Sequence, residues 1–300
     1  MLPILNILGP ILLMAGCGAL LQRSFRLSLD TLVKLNLYLF VPAFLLHYLA
    51  NSSISAGDVA WIIGLTTIVG VGLGLVVGGV ARAFGAKRST VSALFLATCV
   101  YNSGNYGLPL AELAYDEAGA ATQTFVLFTQ NLLTFTVGIL VAGGGSMPIG
   151  KAIGKFFAMP IPYAIAVGIG LRLAGPEVLP TALEKSMAYL AGGLVPVALV
   201  TLGAQLADKP RWPRWKPVAA VCVARLVLGP LLMMGLLAVL PTGLTPVAAD
   251  TLILTASAPV AINTLLLTME LGGDADLAAD CVFWSTVLSA FTVAGWIAIL

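Results

Sequence analysis

The chain has 300 residues, of which 59% are hydrophobic and only 9% charged, with a formal net charge of +2. A soluble domain carries about 25% charged residues, so the composition excludes a soluble fold. It also argues against nucleic acid as a partner, because no basic patch is interleaved with aromatics.

Apolar runs of about 20 residues, the length that crosses a bilayer core, recur from end to end. They are continuous rather than alternating, which favours helices over a β-barrel. The expected fold is all-α: a polytopic membrane protein with lipid bilayer as its solvent. Ten spans are predicted, at about 2–21, 29–49, 59–84, 89–115, 120–141, 153–173, 183–206, 217–240, 246–271 and 277–300. The first is read as a retained span, since no basic residue precedes it and no small-residue cleavage site follows it. The fifth leads into GGGSMPIGK, a short connection near the midpoint.

Basic residues set the orientation. Arg23, Arg26, Arg82, Lys87, Arg88, Lys151, Lys155, Lys209, Arg211, Arg214 and Lys216 share one side of a ten-span chain, while Arg172 and Lys185 lie on the other. The positive-inside rule makes the rich side cytoplasmic and puts both termini outside, in the cell (inner) membrane. A miscounted span would destroy this bias, so charge supports the count independently of hydropathy. The acidic loop with Asp274 and Asp276 also falls inside.

The halves resemble each other. Leu29-Asp30 precedes Val41-Pro42, as Leu183-Glu184 precedes Val195-Pro196 at the same spacing. Interrupted spans four and nine, with Pro109 and Pro259, fall in register. Five spans per half is odd, so the halves have opposite topology, a transporter signature. The expected organisation is a first five-helix repeat at 1–143, a short cytoplasmic connection at 144–152 and a second, inverted repeat at 153–300.

The interruptions carry the functional reading. Span four holds Asn102-Ser103-Gly104-Asn105-Tyr106-Gly107-Leu108-Pro109, and span nine holds Ser257-Ala258-Pro259-Val260-Ala261-Ile262-Asn263. Asn is costly in hydrocarbon unless paired or facing a cavity, and Gly and Pro weaken a helix. Unwound backbone survives in a membrane only inside protein or beside water. Each break is expected to leave a half-helix N-terminus near mid-membrane, at Pro109 and Pro259, attractive to anions. A small organic anion such as a carboxylate is the expected substrate. Asn102, Gly104, Asn105, Gly107, Pro109, Pro259 and Asn263 form the expected binding set. Gln130 and Asn131 in span five join it, with plain helix–helix hydrogen bonding as their alternative role.

The string Asn102–Pro109, with Leu35-Asn36-Leu37-Tyr38-Leu39-Phe40-Val41-Pro42-Ala43-Phe44 and Ser257-Ala258-Pro259, resembles the auxin efflux carrier family. The resemblance implies a ten-helix fold related to the bile acid/sodium symporters, with a scaffold and a mobile transport domain. It implies two broken, crossing helices whose prolines and Asn residues line the site, and export or exchange of organic acids. The short connection after span five is like that of a prokaryotic member, so plant substrate specificity does not carry over.

Other intramembrane polar groups have bland readings beside functional ones. Glu112 either approaches the outer surface or takes a coupling proton. Arg225 snorkels or pairs inside, or neutralises substrate. His47 alone is not a metal site. Cys17, Cys99, Cys222 and Cys281 lie in apolar segments and read as reduced packing residues. Gly70, Gly74 and Gly78 form a small-residue stripe expected to pack within the protomer, with a homodimer seam as the alternative. The functional expectation is a secondary transporter working by alternating access, coupled to protons, to sodium or to neither. A channel or membrane receptor on a transporter-like fold is the alternative. No cofactor or metal is expected. HExxH, GxSxG, P-loop and paired-aspartate patterns are absent, so no enzyme is expected.

Overall fold

The structure, a computed structural model, describes residues 2–52, 54–143, 150, 154, 156–175, 178–207 and 212–300. Most of the 144–152 connection, and Lys151, Lys155, Lys209 and Arg211, lie outside the described residues. Among those described the chain is helical, and its one β-type contact is an isolated antiparallel bridge between Tyr101 and Val260. The helices are α1 (Leu2–Phe25), α2 (Leu29–Ala50), α3 (Ala56–Ala83), α4 (Arg88–Cys99) and α5 (Ser103–Val141). They continue with α6 (Ile161–Ala174), α7 (Thr181–Leu206), α8 (Trp215–Val239), α9 (Pro246–Ala256), α10 (Ile262–Glu270) and α11 (Ala275–Ile299). Seven of these, α1, α2, α3, α5, α7, α8 and α11, are long and apolar enough to cross a membrane.

The longest, α5, has 39 residues. At about 1.5 Å per residue a straight helix of that length would run nearly twice the roughly 30 Å of a hydrocarbon core. It does not run straight. Tyr115 (φ −139°, ψ 18°) and Asp116 (φ 51°, ψ −144°) are non-helical and divide it into two limbs. A polar Asp-Glu pair at 116–117 marks the turn, and Gly119 allows the close return: a Cβ there would meet the Ala111 carbonyl oxygen at 2.4 Å. The predicted fourth span is therefore α4 plus the first limb of α5, the fifth is the second limb, and the ninth is α9 plus α10.

Exposure is inverted relative to a soluble protein. Leu13, Val76 and Phe291 are exposed, while Gln123, Gln130 and Arg225 are buried. Lipid accepts the apolar side chains without cost, whereas a polar group must find partners inside. The glycine stripe of α3 works within the chain. A Cβ on Gly70 would meet the Cys99 carbonyl oxygen at 2.9 Å, and one on Gly74 the Phe95 ring at 3.0 Å, so α4 packs against this face.

Two sets of helices separate by packing. In the first, α1 packs on α7, and α2 packs on α6 and α7. In the second, α3, α4, α5, α8, α9, α10 and α11 pack on one another, with α4 and α9 toward the middle. At one end Arg214 holds Asp274 through two hydrogen bonds of 2.8 and 2.7 Å. The Thr90 hydroxyl donates to the same carboxylate at 3.3 Å, and Asp274 also caps α11. The acidic loop thus lies against a basic one, which gives Asp274 a structural reason to sit on the basic side. At the opposite end Arg172 donates to the Ile54 carbonyl.

Candidate functional site

The two interruptions meet. Val100 is extended (φ −105°, ψ 116°) and Asn102 has left the helix (φ −75°, ψ 68°). In the other segment Ala261 is extended (φ −74°, ψ 146°). The Asn102 N–H donates to the Pro259 carbonyl at 2.8 Å, and the Ala261 N–H to the Val100 carbonyl at 3.4 Å. Each unwound strand thus satisfies part of the other's backbone, the condition for leaving a helix at membrane depth.

The half-helices start elsewhere than expected. The first begins at Ser103, as a wide π turn through Gly107 that passes into α-helix at Leu108; Pro109 sits inside an established helix. The second begins at Ile262, and Pro259 lies in the unwound link. Pro259 has no N–H to donate, but its carbonyl receives Asn102. Proline marks each break correctly and misplaces its end.

Side chains brace both links. On α5 the Gln130 Oε1 accepts from the Tyr101 N–H at 3.1 Å, and the Gln123 Nε2 donates to the Ser103 carbonyl at 2.9 Å. These two glutamines lie seven residues apart, two turns on one face. Gly107 lets Gln123 in: a Cβ there would come within 2.3 Å of its Nε2. On the other side the Val260 N–H donates to the Ser285 Oγ at 3.0 Å. Arg225, fully buried on a π turn of α8, donates to the carbonyls of Ala256 at 2.9 Å and Ala258 at 3.4 Å. Its guanidinium carbon lies 4.3 Å from the centroid of the Tyr101 ring. Arg225 therefore does not snorkel. It sits where α9 ends, and the helix dipole and free carbonyls favour a cation there.

A cavity of about 110 Å³ opens beside the crossing. One water needs roughly 10–15 Å³ on this measure, so there is room for several waters or a small ligand. Of the predicted site residues, Asn102, Gly104, Asn105, Gln130, Asn131 and Asn263 line it. Gly107, Pro109 and Pro259 do not; they shape the backbone behind the wall. Asn131 spends its amide on its own helix, donating to the Leu127 carbonyl at 2.9 Å.

Sequence reasoning missed Asn36, Ser103 and Thr134 in the wall and Gln123 and Ser285 behind it; it singled out Arg225 without its Tyr101 partner. Asn36, buried at a π turn of α2, donates to the Asn105 side chain at 3.4 Å. A lone Asn in an apolar span was the available signal, as was the seven-residue spacing of Gln123 and Gln130. Two polar atoms of this wall, Gln130 Nε2 and Asn36 Oδ1, are buried without a protein partner. Unmet groups of this kind cost about 1–3 kcal/mol each. The starts of α5 and α10 add first-turn N–H groups and positive dipole ends.

Comparison with known proteins agrees with this picture. Residues 149–297 match a family model described as "Membrane transport protein". A protein of Methanothermobacter thermautotrophicus named "Uncharacterized transporter" is 27% identical over 280 residues, covering 90% of this chain and 89% of its own length. A Rhizobium meliloti protein named "Putative malonate transporter" is 28% identical over 218 residues, covering 70% of this chain and 68% of its own. The resemblance drawn from residues 102–109 is borne out, although the family match itself falls on the second half.

Proposed function

We propose, from the match of residues 149–297 to a membrane transport protein model and the similarity over 90% of the chain to a protein named a transporter, that the chain is a secondary transporter of small organic anions, binding them at the crossing. The carrying observation is the cavity at two half-helix starts, lined by Asn102, Asn105 and Asn263, with the Arg225 cation behind Tyr101. A carboxylate supplies acceptors for Gln130, Asn105, Asn263 and the first-turn N–H groups. Asn102, Gly104 and Asn131 complete the wall, while Gly107, Pro109 and Pro259 hold its shape. The name of the Rhizobium meliloti relative makes malonate the first probe.

Ten spans in two inverted repeats, 1–143 and 153–300 joined by 144–152, are part of the proposal. Contacts recur under exchange of the halves, which supports it. The pairing of α1 with α7 is mirrored by α6 with α2. That of α3 with α4 is mirrored by α8 with α9. Tyr101 and Val260, bridged to each other, are held by Gln130 and Ser285 from equivalent helices. The two packing sets then read as scaffold (α1, α2, α6, α7) and mobile transport domain, with the cavity in the seam for alternating access. Its wall includes Val33 and Ile161, near the basic-loop ends of α2 and α6, which fits an inward-open state. With the basic side cytoplasmic, both termini lie outside the cell membrane.

Purified protein in liposomes is expected to take up labelled malonate with saturation. Asn105→Ala should weaken uptake about tenfold, the worth of one hydrogen bond to a charged group. Unchanged uptake in both Asn105→Ala and Asn263→Ala would remove the site assignment. Linear, unsaturable flux would favour a channel. Single cysteines at Phe84 and Gly243 should label from opposite sides; same-side labelling defeats the ten-span arrangement.

A further inference from the structure

The seam between the two helix sets holds a second polar contact, some distance from the cavity. The Tyr48 hydroxyl, on α2, donates to Glu112 Oε1 at 2.8 Å, on the first limb of α5. Glu112 lies one turn past Pro109, in the half-helix that carries Asn105 to the cavity. Its other oxygen, Oε2, is buried with no protein partner. Among the described residues no cation pairs with this carboxylate. An acceptor serving only to hold Tyr48 has no use for a second oxygen kept from water.

We propose that Glu112 is the coupling site, taking up and releasing one proton in each transport cycle. This rests on the transporter reading above and names its coupling ion.

Three features carry it. The first is access. Tyr48 lines a cavity at the end opposite the basic loops, together with His47, Glu117 and Thr245. The carboxyl is thus one hydrogen bond from that space. The second is position. Tyr48 belongs to the proposed scaffold and Glu112 to the proposed transport domain, so sliding along the seam must stretch or remake their bond. A hydrogen bond to a carboxylate is about twice as strong as one between neutral groups; a proton on Glu112 weakens the hold and frees the half-helix. The third is the charge nearby. Asp116 and Glu117 follow on the same chain. Asp250 of α9 faces Tyr115. His47 stacks edge-on against Tyr48 at 5.2 Å. Asp58 of α3 is engaged in its own helix cap. Apart from His47 these neighbours are acids and tyrosines, so a proton is the charge-balancing partner within reach. The proton moves from water on the Tyr48 side to a Glu112 oxygen, and leaves to water when the half-helix has moved.

The test uses proteoliposomes, labelled malonate and a membrane potential clamped at zero. At one proton per anion, a one-unit gradient, acid outside, sustains about tenfold accumulation in the wild type. Glu112→Gln mimics the protonated carboxyl. It should lose that accumulation and keep malonate–malonate exchange. Accumulation by Glu112→Gln at the wild-type level overturns the proposal, as does loss of both activities in a variant that elutes and melts like the wild type. Wild-type exchange without accumulation under the gradient also overturns it and leaves the transport reading standing; absence of wild-type exchange tells against transport of malonate itself. If Glu112→Gln does not fold, Tyr48→Phe decides. It keeps the carboxyl and removes its donor, so it should accumulate with a shifted pH dependence. An unchanged pH profile refutes the coupling role.

Discussion

The two broken segments share a frame and differ in chemistry. In each, a strand of a few residues leaves the helix, bonds to the other and restarts. The first, Asn102-Ser103-Gly104-Asn105, is polar and opens as a π turn braced by two amide side chains. The second, Ala258-Pro259-Val260-Ala261, is apolar, restarts sharply at Ile262, and is braced by a buried guanidinium and a serine. The difference suggests a division of labour. The first segment presents donors and acceptors to the cavity, and the second is held by the charge, Arg225 of α8, that lies behind them. A symmetric backbone does not require symmetric chemistry, because only one face of the crossing borders this cavity.

Breaking the charged side should have the largest effect. Arg225→Leu leaves the carbonyls of Ala256 and Ala258 without their donor, at about 1–3 kcal/mol each. Thermal denaturation in detergent should show the steepest loss of any single change at the crossing. Arg225→Lys should fall between, since it keeps the charge and loses the planar fork. A melting curve unchanged in Arg225→Leu would mean the second segment holds itself.

The polar side can be tested by two neighbouring glycines. Gly107→Ala must push Gln123 off the Ser103 carbonyl, for about 1–3 kcal/mol. Gly104→Ala meets only Leu127 at 3.6 Å, an ordinary contact, and should melt within about 0.5 kcal/mol of the wild type. Equal effects would show that the π turn, not Gln123, holds the first segment. Next comes Ser285→Ala, which orphans the Val260 N–H. It should cost about 1 kcal/mol, measured in the same melting experiment, and exceed the effect of Thr292→Ala on the same helix.

The smallest effect lies outside the membrane. Arg214 beside Asp274, its strongest influence, holds that carboxyl below the usual carboxylate value. A depressed folded value means the contribution is present above about pH 4. It fades as pH falls through the folded value. Arg214 is half exposed, so the pair contributes under about 1 kcal/mol. Wild type and Asp274→Asn should differ slightly in melting temperature at pH 6 and draw together as the pH is lowered below about 4; a gap that does not narrow would assign the difference to the cap on α11.

Much of this was legible in the chain. Continuous apolar runs led to membrane helices because lipid leaves the backbone no other partner than itself. Asn102, Gly104 and Asn105 could be read as wall residues because intramembrane amides need a cavity or a mate. The string 102–109 led to the family resemblance. Where the half-helices restart could not be read. Proline reports a missing N–H but not which neighbour donates to the freed carbonyls, and here the donor–acceptor pairs are Asn102 with Pro259 and Ala261 with Val100, far apart in sequence.

What the sequence alone determined is the solvent, the class of fold and the two places where helices fail, since each follows from local composition. What only the tertiary structure decided is which polar groups those failures bring together. Arg225 read as snorkelling, pairing inside or neutralising substrate until its distance to Tyr101 and to the end of α9 was known. The seven-residue spacing of Gln123 and Gln130 had no evident use until Ser103 lay beside Gln123. Glu112 read as either an edge residue or a proton site until Tyr48 met it across the seam. Each depends on a partner on another helix, and long-range pairing is the one thing that hydropathy and spacing along a single chain do not encode.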